Sequence, residues 1–123
     1  MNVVDSSAWL EYVGNTKRAK HFARAIEDTH RLVVPTITLF EVFKKIRSAQ
    51  DETMALRVVA FMRRGLVVDL DSSIALTAAN YSFELKIPMA DSIILATARL
   101  YRAQLWTQDS DFVGIPDVKY FKK

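Results

Sequence analysis

NVVDSSAWLEYV, residues 2–13, sets the pattern for the whole chain. Asn2–Val4 is a short run that favours a strand, and the acidic Asp5 closes it. From Ser7 to Val13 the sequence reads as a helix. Working outward, the same alternation recurs. Short apolar runs at Leu32–Val34, Leu66–Val68, Leu105–Trp106 and Val118–Tyr120 read as strands. Between them, residues 17–28, 38–49, 53–63, 73–85 and 91–101 read as helices. The clearest period is Ile74, Ala78, Tyr81 and Leu85, which return on one helical face. Pro35 and Pro88 mark turns before helices, and Gly65 parts a helix from the strand that follows. Strand alternating with helix implies an α/β fold: a parallel central sheet of four to five strands with helices on both faces. In such sheets ligands bind beyond the carboxyl ends of the strands.

The 123 residues fit one domain, 1–123, with no linker, repeat or low-complexity stretch. A chain of this size buries about two-thirds of the surface its unfolded form exposes, enough for a true core. No apolar run is long enough to span a bilayer, and MNVVDSSAW lacks the basic and apolar regions of a signal peptide. The absence of cysteine excludes disulfides and thiolate metal sites, and agrees with a reducing, cytoplasmic setting. The net charge of +3 is modest, but its carriers are grouped: Lys17-Arg18-Lys20-Arg24, Lys44-Lys45-Arg47, Arg63-Arg64, and Lys119, Lys122, Lys123. Such groups serve either as solvated helix faces or as contacts for a polyanion.

Four acids stand where strands and helices change over: Asp5, Glu41, Asp91 and Asp109. Each has an ordinary explanation. Thr38 and Glu41 have the spacing of a capping box, with Glu41 in a first helical turn. Asp91 near a helix start suits a cap or the helix dipole, and Asp5 and Asp109 suit caps of the turns that follow them. Taken together, their positions predict convergence at one end of the sheet. Two carboxylates about 4 Å apart repel by roughly 4 kcal/mol at an effective dielectric near 20, so four together call for a cation. Carboxylate oxygens without cysteine or a close histidine pair select Mg²⁺ or Mn²⁺ over zinc, and His21 and His30 read as surface residues. Such an ion activates water and stabilises a phosphoryl group during in-line displacement. No serine-histidine-aspartate set and no glycine-rich phosphate loop competes, so metal-dependent phosphodiester hydrolysis is the expected chemistry.

The words VVDSS, TITLFEVF, MADSIILATA and TQDSDF, in this order, resemble the PIN-domain ribonucleases, and among them the VapC-type toxins of toxin–antitoxin pairs. The resemblance runs nearly end to end and implies a three-layer PIN-like sandwich. It implies that Asp5, Asp91 and Asp109 hold Mg²⁺ or Mn²⁺, and that Glu41 completes the catalytic set as a ligand or by orienting water. Ser6 and Thr107 fall where the family often carries a hydroxyl, and Asp111 matches a further acid ranked below the four. The implied function is an endoribonuclease toxin that cuts RNA with metal-activated water. The implied partners are the RNA substrate, a cognate VapB-type antitoxin and a second copy in a homodimer, with no membrane. Trp9, Tyr12, Val13 and Phe22 on the first helices suit either ordinary core packing or part of the antitoxin contact. Two alternatives keep the fold: a nuclease of RNA maturation, and a non-catalytic RNA- or protein-binding module. A third reading, a phosphoacceptor receiver using Asp69 and Lys119, leaves Glu41 and the MADSIILATA block without a role.

Overall fold

A computed structural model describes residues Met1 to Lys123. Five strands, β1 (Asn2–Val4), β2 (Leu32–Pro35), β3 (Leu66–Val68), β4 (Gln104–Thr107) and β5 (Val118–Tyr120), form one sheet in the order β3-β2-β1-β4-β5. Every adjacent pair is parallel. Six helices connect them: α1 (Ser6–Val13), α2 (Ala19–Glu27), α3 (Thr36–Ala49), α4 (Glu52–Met62), α5 (Ser72–Leu85) and α6 (Met89–Leu100). No helix is long and apolar enough to cross a membrane.

The period-2 alternation of each strand sorts the core into two halves. Val3, Val33, Val68 and Leu105 point to one face, where α5 and α6 bring Ile74, Ala78, Ile94, Leu95 and Ala98. Val4, Leu32, Val34 and Trp106 point to the other, against Trp9 of α1, Phe22 and Ile26 of α2, Val42 and Ile46 of α3, and Ala55 and Met62 of α4. The sheet is thus covered on both sides, as its parallel connections require. Helix α6 is apolar nearly all round, buried from Ser92 to Ala98, because it packs on the sheet and on α5 together.

The chain builds β1, β2 and β3 outward in one direction, then returns to lay β4 on the free edge of β1, with Val4 paired to Trp106. That reversal makes the ends of β1 and β4 the switch point at which ligands bind in open parallel sheets. Asp5 follows β1 directly and Asp109 lies two residues beyond β4, so both fall at this point.

Helix α3 begins at Thr36, two residues before the sequence suggests, and Pro35 occupies its cap position. Thr38 therefore lies inside the first turn, where its hydroxyl donates to the Pro35 carbonyl at 2.6 Å. Glu41 moves into the second turn, so the expected capping box does not form. Its carboxylate is left free for another partner.

Candidate active site

Asp5 is the most enclosed acid of the protein, 3% exposed at the junction of β1 and α1. It caps α1 by accepting the Ala8 amide on Oδ1 at 3.0 Å. The Thr107 hydroxyl donates to Oδ2 at 2.7 Å, and the Ser7 hydroxyl lies 3.1 and 3.2 Å from the two oxygens. These bonds favour the ionised form, yet burial outweighs them and holds the carboxyl up at about 6, with the charge of Asp109 adding to the rise. Fully buried Thr107 also accepts the Asp109 amide at 2.9 Å. One hydroxyl at the end of β4 thereby ties the Asp5 carboxylate to the loop that carries Asp109.

Asp109 in turn caps the short 3-10 turn Ser110–Phe112, accepting the Asp111 amide at 2.9 Å. Asp91 enters from α6, in its first turn, where the helix dipole favours a negative charge. Asp91, Asp109 and Asp111 each present a carboxylate oxygen, and these oxygens lie within 4.8 Å of one another. The Asp91 carboxyl is pushed up to about 8 by burial first, then by the charge of Asp109, the hydrogen bond and charge of Asp111, and the charge of Asp5. Burial and the facing carboxylates thus outweigh the helix dipole at this position. Three converging carboxylates with no thiol or imidazole among them match the oxygen-only donor set of Mg²⁺ or Mn²⁺.

Glu41 stands apart from this trio. It reaches from α3 to the start of α1, where the Ser6 hydroxyl donates to Oε1 at 2.6 Å. The adjacent serines thus divide their work, Ser6 to Glu41 and Ser7 to Asp5. The Asp-Ser-Ser triplet marks a helix cap in the sequence, but only Ser6 is legible there as a partner of the acids, and the Ser7 bond to Asp5 comes from the fold. Asp111, ranked below the four, is one of the three oxygens that lie closest together. In the sequence Arg18 is one member of a basic group. Its guanidinium bonds the buried Gln108 side chain and donates to the Phe121 carbonyl at 2.9 Å, clamping the loop after β4.

Of the four residues that suit core or partner contact, Trp9 and Phe22 are core residues, 1% and 0% exposed, and are not available to a partner. Tyr12 and Val13 are half-exposed and line a cavity of about 740 Å³ between α1, α2 and α4. Asp69, the phosphoacceptor candidate, is exposed beyond β3, two strands away from β1 at the sheet edge.

A family model described as PIN domain matches residues 3–118. Solved structures share the architecture. A toxin–antitoxin complex from Klebsiella pneumoniae has a TM-score of 0.78 at 24% identity, over 97% of this chain and 96% of that one. The sarcin–ricin-loop-cleaving toxin VapC20 of Mycobacterium tuberculosis has 0.77 at 14% identity, over 94% and 95%. DNA-bound VapBC from Salmonella typhimurium has 0.75 at 21% identity, over 98% of each. No curated protein matches the sequence significantly.

Proposed function

Because the chain belongs to the PIN-domain family, we propose that it is a Mg²⁺- or Mn²⁺-dependent endoribonuclease of the VapC toxin type, acting as one domain over residues 1–123. A cognate VapB-type antitoxin restrains it, and RNA as substrate sets its work in the cytoplasm. The observation that carries this reading is the trio of carboxylates at the β1–β4 switch point, with the Asp91 carboxyl held up at about 8 by burial and its neighbours. Such a group is unfavourable alone and well matched to a hard divalent cation.

Asp91, Asp109 and Asp111 would hold the ion, with Asp5 behind them. A bound Mg²⁺ or Mn²⁺ supplies Lewis-acid stabilisation of phosphoryl charge and lowers the pKa of water. Thr107 and Ser7 fix the orientation of Asp5, and Thr107 fixes the Asp109 loop with it. Glu41, steadied by Ser6 through one oxygen, keeps the other free to orient the attacking water or take its proton. Attack by water gives a 3′-hydroxyl and a 5′-phosphate.

The cavity beside Tyr12, Val13, Lys17, Lys20, Arg57 and Phe61 supports the antitoxin part of the reading, since it offers apolar walls with a basic rim. Co-expression with the antitoxin should silence cleavage, and full activity of the complex would remove that part. Leu76 and Phe83, 71% and 80% exposed and seven residues apart on α5, support a homodimer through that helix. A monomer by light scattering would count against it.

The decisive experiment is cleavage of end-labelled total RNA by the purified protein with Mg²⁺, Mn²⁺ or EDTA, beside Asp91→Asn prepared identically. Discrete cuts that need metal and vanish in the variant are expected. Cuts that persist in Asp91→Asn would mark a contaminant, and products with cyclic or 3′-phosphates would overturn attack by water. RNA binding without cleavage, indifferent to EDTA, would replace the nuclease with a binding module.

A further inference from the structure

A second polar cavity, about 440 Å³, opens beside the acids and shares Asp109 with them. Its other walls include Ser7, Ser110, Tyr120, Lys122 and Lys123, and Tyr120 is the one hydrophobic residue among them. The two lysines leave a firmly held residue. The Phe121 amide donates to the Thr107 carbonyl at 2.9 Å, and Arg18 bonds the Phe121 carbonyl. The Phe121 ring stacks on His21 at 4.9 Å and meets Phe22 edge-on at 5.3 Å. Lys122 and Lys123 are therefore delivered to this cavity by the fold.

Their charges are not consumed within the protein. The only ion pairs are Arg18–Glu11, Arg31–Asp28 and Arg47–Glu52, so neither lysine has an acid within 4.0 Å, although Asp109 lines the same cavity. Two unpaired ammonium groups with hydroxyls around them form a site for a hydrated anion. With one hydrophobic residue in its wall, the cavity offers no apolar pocket of the kind that anchors a peptide side chain. Lysine recognises phosphate as a point charge without demanding one orientation, which suits a flexible strand.

We propose that this cavity seats a backbone phosphate of the RNA strand next to the one being cut, held by Lys122 and Lys123. The inference rests on the nuclease reading and extends it from the reacting centre to the neighbouring nucleotide. The seat adds no base recognition. It holds the strand beside the acids, and its contribution is to affinity.

The test uses the double substitution Lys122→Gln/Lys123→Gln. Both side chains are exposed, so the fold should be retained. Binding of a fluorescein-labelled, mixed-sequence single-stranded RNA is followed by anisotropy in EDTA at several salt concentrations, apart from any cleavage. The substitution should weaken binding about 5–10-fold at low salt and flatten the salt dependence of log K by about 0.7 for the lost phosphate contact. Lys122→Arg/Lys123→Arg should restore both. Arg63→Gln/Arg64→Gln removes the same charge just before β3, at the opposite edge of the sheet, and should change binding less than about twofold. With Mn²⁺, the lysine double variant should cut the same bonds with a raised KM and kcat within about threefold of wild type. Unchanged binding and salt slope in a protein that still cuts RNA would overturn the phosphate seat alone. An equal loss in the Arg63/Arg64 variant would also overturn it, because it would show a general positive field. Failure of the wild type to cut any RNA with metal would overturn the nuclease reading and this inference together. Binding of an acidic peptide in preference to RNA would overturn it in favour of a protein partner.

Discussion

Without metal, the protein should lose stability as pH rises, and Asp91→Asn should prevent about half of the loss. Asp5 is held at about 6 and Asp91 at about 8, both above the ordinary 3.8. A raised acid binds more protons folded than unfolded between its two pKa values. Stability is therefore highest below 3.8 and falls as pH climbs through the folded value. For Asp5 the full loss is about 3 kcal/mol, complete just above pH 6. Asp91 would give about twice that unscreened, but it is partly open to solvent and shares its repulsion with Asp109 and Asp111. Halving it leaves about 3 kcal/mol, complete above pH 8. Between pH 5 and 8.5 the wild type should lose about 3–4 kcal/mol, a large share of the 5–15 kcal/mol that folded domains typically possess. Buried Trp9 and Trp106, 1% and 6% exposed, report unfolding by fluorescence. Urea midpoints in EDTA at the two pH values give the difference, provided the slope m is unchanged. At pH 8.5 Asp91→Asn should exceed wild type by about 2–3 kcal/mol, or about 10 °C in Tm. At pH 5 the gap should shrink to about 1 kcal/mol, the part of the loss already incurred above 3.8. Saturating Mn²⁺ should return the lost stability to wild type and give little to the variant. Equal wild-type midpoints at pH 5 and 8.5 in EDTA would refute the argument, since the carboxylates would then be too far apart or too well solvated to repel.

Two further outcomes follow from the hydroxyls. Thr107→Val removes the donor to Asp5 and the acceptor for the Asp109 amide while keeping the shape, and should destabilise by about 2 kcal/mol and lower kcat at least tenfold. Urea unfolding and RNA cleavage check it, and Thr107→Ser should recover most of both. Ser6→Ala frees Glu41 at a part-buried contact, and should cost under about 1 kcal/mol of stability yet slow cleavage about tenfold. Equal cleavage by Ser6→Ala and wild type would show that Glu41 needs no positioning.

The strands and helices were legible because each apolar run was short and each break carried a turn residue or an acid. The five strands at Asn2–Val4, Leu32–Pro35, Leu66–Val68, Gln104–Thr107 and Val118–Tyr120 lie where alternation and length put them, to within a residue at each end. Helix starts were less legible. Thr36 and Met89 begin helices directly after proline, with no side-chain cap to announce them, and so Glu41 was misread as a capping residue. The direction of the acids was readable from topology, since residues that follow parallel strands share one edge. Distance within the group was not. The 3-10 turn after Asp109 brings Asp111 back beside it, and no period in TQDSDF signals that turn. Burial of Trp9 and Phe22 was equally hidden, because an amphipathic helix presents similar residues to a core and to a partner.

Capping and metal binding are not rival explanations of these acids, because carboxylate oxygens have more than one acceptor site each. An ionised carboxylate offers about four lone-pair sites. In Asp5 they are largely taken by Ala8, Ser7 and Thr107, which leaves room for about one further contact. Asp109 gives one oxygen to the Asp111 amide and keeps the other free, and Asp91 caps nothing. The fold thus grades the acids. Asp5 is rigid and nearly saturated, fit to anchor the geometry. Asp91, Asp109 and Asp111 are less committed and more strongly opposed to one another, fit to receive a cation. The same helix starts that tolerate a carboxylate hold it at the switch point, so the local stability of α1 and the proposed chemistry depend on one residue, Asp5. Asp5→Asn should therefore behave unlike Asp91→Asn. It relieves charge but sets an amide hydrogen against the Thr107 hydroxyl, and the gain in metal-free stability expected for Asp91→Asn should be small or absent.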